Sequence, residues 1–66
     1  MNNDLIIEAR AICDDIKLFI RLNKTTKNEA RDAIHDRFIS KFCPSRDELI
    51  IEMVREMDLE FNKQFS

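Results

Sequence analysis

The run Leu5 to Leu22, LIIEARAICDDIKLFIRL, is the longest apolar-periodic stretch in the chain, and the rest of the chain must pack against it. At about 100° per residue, Leu5, Ile6, Ala9, Ile12, Cys13, Ile16, Phe19 and Ile20 fall within one arc roughly 140° wide, the pattern of an amphipathic helix. The steps from Leu5 to Ala9, Ile12, Ile16 and Phe19 alternate four and three, the spacing of a helix-packing seam. Asn3 or Asp4 can cap the start, and Asp4 complements the positive end of the helix dipole. A helix over about residues 4–22 is therefore expected. Asp4, Glu8, Arg10, Asp14, Asp15, Lys17 and Arg21 form its polar surface.

Within that polar surface Ile7, Ala11, Leu18 and Leu22 project roughly opposite the main seam, at spacings of four, seven and four. Single exposed apolar residues are ordinary, but four on one line form a stripe that gains by burial. Burial against another chain is the expected account, and a third helix straddling both sides of the first is the other.

Length and composition set the frame. Sixty-six residues make one domain at most, and chains this short bury only about 60% of the surface they expose when unfolded. A core of that size rarely supplies more than roughly 3–5 kcal/mol, so self-association is a natural remedy. Charged residues make up 36% of the chain with a net charge of -2, which argues against a global polyanion binder and leaves local patches open. Glycine is absent and proline occurs once, at Pro44, so tight hairpins and phosphate-cradling loops lose their usual residue. The apolar runs are too short and too charged to span a membrane, and MNND shows no basic signal-peptide region. Two cysteines without a secretion signal read as free thiols of a reducing cytoplasm.

The first break falls at Asn23-Lys24-Thr25. Thr26-Lys27-Asn28-Glu29 then reads as a capping box, opening a second helix over about residues 26–42 with Ala30, Ile34, Phe38 and Phe42 on its apolar face and Ile39 beside it. Cys43-Pro44 breaks the chain again. Ser45-Arg46-Asp47-Glu48 reads as a second capping box, opening a third helix over about residues 46–63. Its apolar face would be Leu49, Ile50, Met53, Val54, Met57 and Phe61, with Phe65 extending it, and Met53 and Met57 read as core rather than as an adaptable groove. Glu48, Glu52, Arg55, Glu56 and Lys63 would lie opposite as a solvated face, with Leu59 alone among them. The connections are short, so neighbouring helices should run antiparallel or cross steeply. The expected fold is all-α, a compact three-helix bundle that self-associates, in a single domain over residues 1–66.

No constellation assembles into catalytic chemistry. His35 is the only histidine, with Asp32 three residues before it; a metal site with Cys13 or Cys43 would lack the paired local ligands that structural zinc uses. Cys13 lies in the main seam, where a thiol acts as a small hydrophobe. Cys43 follows Lys41 but sits at a helix C-terminus, whose dipole opposes a thiolate. No metal or cofactor is expected. The basic cluster Lys17, Arg21, Lys24, Lys27 and Arg31 would converge at the elbow between the first two helices, where a phosphate backbone or an acidic surface could sit. Threonines 25 and 26 could add hydroxyl contacts. Tyrosine and tryptophan, the usual base-stacking partners, are absent, and the acidic third helix is a poor reader of a DNA groove. The reading is thus a small non-enzymatic protein-binding regulator, an adaptor or stoichiometric inhibitor using the stripe and the basic elbow. The alternative is a small nucleic-acid-binding regulator that uses the elbow on a dimer.

Overall fold

The computed structural model describes residues 3–22 and 24–66. Helix α1 spans Asn3–Arg21 and buries Ala9, Cys13, Ile16 and Ile20 at steps of four, three and four. Asn3 and Asp4 stand inside its first turn rather than at the cap, and the preceding position lies outside the described residues. The buried face is narrower than the sequence pattern suggested. Phe19, at the rim of that arc, and Leu5, in the first turn of the helix, remain substantially exposed.

Helix α2 is continuous but not uniform, running as Lys27–Ile34 in α geometry, His35–Ile39 as a π-helical stretch and Ser40–Phe42 as α-helix again. Its start forms the expected capping box. The Thr26 hydroxyl accepts from the Glu29 N–H at 3.1 Å, and the Glu29 carboxylate accepts from the Thr26 N–H at 2.8 Å. The π stretch has a cause in the sequence. Ala30, Ile34, Phe38 and Phe42 recur at a constant four, so in a helix of 3.6 residues per turn each would drift about 40° from the last. A wider turn, in which the Ser40 N–H reaches back five residues to the His35 carbonyl, returns Phe38 and Phe42 to the core. Their rings sit 4.9 Å apart. Cys43 ends the helix in extended geometry, φ -116° and ψ 153°, as the residue before proline must.

Helix α3 spans Glu48–Phe65, starting two residues later than the sequence reading placed it. The second capping box does not form. Asp47 is the cap, its carboxylate accepting from the Leu49 N–H at 2.9 Å, while the Ser45 hydroxyl accepts from the Asp47 N–H at 3.0 Å. Ser45 therefore shapes the turn and Asp47 satisfies the helix end. Of the expected apolar face, Ile50, Met53 and Met57 are buried and Val54 and Phe61 half-buried, while Leu49, in the first turn, is exposed. Phe65 does extend the helix, its ring 5.1 Å from Phe61.

Ion pairs fix the topology. Lys41 near the end of α2 meets Glu8 near the start of α1 at 2.8 Å, so these two helices run antiparallel. Arg10 and Lys17 meet Glu56, and Arg21 meets Glu60, so α1 and α3 advance together and run parallel. The result is an up-down-up bundle, 36 × 16 × 16 Å, whose broadest interface joins α1 to α3. Phe38, Ile16, Ile20, Ile50, Met53, Met57 and Cys13 are the largest fully buried side chains. The chain is all-α, three helices around one core, with no strand among the described residues.

Candidate functional site

The stripe lies where the α1 pattern put it. Ile7 is 67%, Leu18 52% and Leu22 59% exposed, and Ala11 between them is exposed too. Both neighbouring helices pack against the opposite face of α1, so neither straddles it. Four acidic side chains flank the line. Asp14 is held by Arg10 at 3.5 Å and Lys17 at 3.9 Å, and Glu8 by Lys41. Asp4 and Asp15 make no ion pair among the described residues.

Two of the five basic residues of the elbow are committed to α3. The Lys17 ammonium donates to Glu56 at 2.8 Å and the Arg21 guanidinium to Glu60 at 2.8 Å, both turned along the α1–α3 seam. Lys24, Lys27 and Arg31 are left exposed and without an ion pair among the described residues. Thr26 is used in its cap, and the Thr25 hydroxyl is shielded from solvent, so neither threonine presents a hydroxyl as the sequence reading allowed. The same pairs correct the reading of the acidic face of α3. Glu56 is half-buried and accepts from Arg10 and Lys17, which push its carboxyl down to about 2. Glu60 is buried, its carboxyl lowered by the hydrogen bond from Arg21. Spacing along α3 alone could not reveal this, because it depends on the parallel register with α1.

The nucleophile and ligand candidates are quiet. Burial pushes the Cys13 thiol up to about 11, with the Glu56 charge adding to the effect, and the thiol donates to the Met53 carbonyl at 3.6 Å. Cys43 is half-buried, and both thiols are free. Donor atoms of Cys13, Asp14 and Glu56 do lie within 4.8 Å of one another. Arg10 and Lys17 already occupy both carboxylates, so a cation there would face two resident positive charges. His35 is exposed and makes no hydrogen bond with Asp32.

One feature escaped the sequence reading: a cleft of about 270 Å³ between α2 and α3. Ile34, Ile39, Val54 and Phe61 form its apolar lining, and Arg31, His35 and Asp58 supply its polar groups. The π stretch begins at His35 and ends at Ile39, both cleft residues. The constant spacing of four in α2 was the available signal for an irregular helix, but the apposition of α2 and α3 was not written in either helix alone. No helix among the described residues is long and apolar enough to cross a membrane. Comparison with protein families, with characterised proteins and with solved structures finds no match to this chain.

Proposed function

We propose that this chain is a small non-enzymatic binding protein, an adaptor or stoichiometric inhibitor, that docks the apolar stripe of α1 onto a helix of another protein. The carrying observation is the row Ile7, Ala11, Leu18 and Leu22, exposed on the face of α1 opposite the core. Apolar anchors in a row, spaced for one helix face, are what helix-in-groove recognition uses. The acids beside the row favour a partner helix with basic flanks, which would speed encounter and set orientation. A protonated, buried Cys13 and an ion-paired Glu56 support the non-enzymatic reading, and two free thiols suit a reducing cytoplasm.

A photo-crosslinker placed at Ile7 or Leu22 tests this in cell extract. The expected product is one discrete protein adduct that survives high salt and disappears in Leu18→Asp. Adducts that persist in Leu18→Asp, or that form only from positions Lys24 and Lys27, would overturn it.

The exposed, unpaired trio Lys24, Lys27 and Arg31 supports a second reading, a nucleic-acid contact at the elbow. Such binding should fall steeply with salt and vanish when Lys24 and Lys27 are both reversed to glutamate. With Lys17 and Arg21 committed to α3, the elbow offers fewer phosphate contacts than five cations would.

A further inference from the structure

We propose that the cleft between α2 and α3 binds a free α-amino acid with a large apolar side chain, its carboxylate on Arg31 and its ammonium on Asp58. The inference is independent of the α1 stripe. Arg31 on α2 and Asp58 on α3 are opposite charges lining the same cleft, each exposed and without an ion pair among the described residues. They do not bridge the cleft to each other. A ligand carrying both charges closes that gap, each end gaining a charge-assisted hydrogen bond.

The lining decides the rest of the ligand. Ile34 is buried, and Ile39, Val54 and Phe61 are half-buried, so the cleft offers apolar surface to a side chain. A plain carboxylic acid would meet Asp58 unfavourably, and a plain amine would meet Arg31. A neutral apolar molecule would strip water from both charges and give nothing back. The volume of about 270 Å³ lies just below the ~300–1,000 Å³ of drug-sized pockets, which suits a single amino acid. His35, one helical turn from Arg31, also lines the cleft. The π stretch that carries His35 and Ile39 is the kind of irregularity that recurs at functional sites.

The test is a titration of the 15N-labelled full chain with L-phenylalanine and L-leucine, beside phenylacetate and phenethylamine as half-ligands. Saturable shifts are expected at Arg31, His35, Val54, Asp58 and Phe61, with either half-ligand weaker by about tenfold or more, the factor for one lost charge-assisted bond. Arg31→Gln and Asp58→Asn should each weaken L-phenylalanine by a similar factor with an unchanged melting temperature, since both side chains are exposed. Should either variant fold poorly, the half-ligand comparison on the native chain decides. The proposal is overturned if no shift saturates by about 10 mM, a bound set by millimolar affinity. Half-ligands that match the amino acid, or shifts that map to the α1 stripe, overturn it too.

Discussion

Replacing Glu56 by glutamine keeps an amide oxygen but removes the charge shared by Arg10 and Lys17, leaving Asp14 alone to offset two cations on the α1–α3 seam. Both cations are partly solvated, so the cost is about 1 kcal/mol rather than that of a buried pair, a fall in Tm of roughly 4–8 °C for a domain this small. The sign with pH follows from the direction of the shift. The Glu56 carboxyl takes up its proton near 4.5 when unfolded and only at about 2 when folded, so its contribution is complete above 4.5 and is lost as pH falls toward 2. Glu60, lowered by Arg21, acts in the same sense. Thermal melts between pH 5 and pH 2 (a range spanning about both values) should show a smaller decline for Glu56→Gln than for the native chain; an equal decline would mean the pair contributes nothing. Phe38 poses the opposite case. Fully buried at the centre of the core, its truncation to alanine costs about 3–5 kcal/mol, as much as a core of this size supplies, and the far-UV circular dichroism of Phe38→Ala should be that of an unfolded chain. Phe38 was legible as core from its place on one helix face. Glu56 and Glu60 were not, because a helical wheel shows an acid among acids as solvated and is blind to the cations that a parallel neighbour brings.

At the level of the helices, the four-residue spacing of α2 makes a further prediction. Deleting Asp36, an exposed member of the π stretch, would shorten the Ile34-to-Phe38 step to three and leave Phe42 four beyond, an ordinary α-helical seam. The shortened chain should fold with its core intact and a Tm equal to or above the native value. It should also lose amino-acid binding, since His35 and Ile39 no longer flank a wide turn. Loss of folding would show that the π geometry is required by the core rather than tolerated by it. The start of α3 offers a cleaner comparison. Asp47→Ala removes the cap and should cost about 1 kcal/mol, whereas Ser45→Ala, which loses a bond within the turn, should cost less; chemical denaturation of the two variants checks the order. Three helices and two breaks were readable from periodicity, the Thr26 box and Pro44. The π stretch and the shift of the cap from Ser45 to Asp47 were not, because each depends on which of two nearby groups wins a single N–H.

For the molecule as a whole, the exposed α1 stripe is the surface that a second copy would cover. The row Ile7, Ala11, Leu18 and Leu22 is symmetric about the bond between Asp14 and Asp15. An antiparallel second copy would thus set Ile7 against Leu22 of the other chain and Ala11 against its Leu18. The same register sets Asp14 against Asp15 of the other chain on either side of the axis. Asp14 is partly neutralised by Arg10 and Lys17, but Asp15 is unpaired, so like charges meet where apolar contact should be tightest. One row of four side chains also falls short of the roughly 800 Å² per partner of a standard stable interface. Self-association through this face is therefore expected to be weak, with a dissociation constant on the order of 10⁻⁴ to 10⁻³ M, leaving the stripe open to a basic-flanked partner at lower concentration. Sedimentation equilibrium across a dilution series checks this. The native chain should be a monomer at micromolar concentration and shift toward dimer only at the highest loading. Leu18→Asp should stay monomeric throughout with a nearly unchanged Tm, because Leu18 is exposed and lies outside the core cluster, and Asp15→Asn should dimerise more tightly than native. A native dimer that persists on dilution and dissociates in Leu18→Asp would mean that the stripe is consumed by self-association. The contact with other molecules would then fall to Lys24, Lys27 and the exposed face of α3.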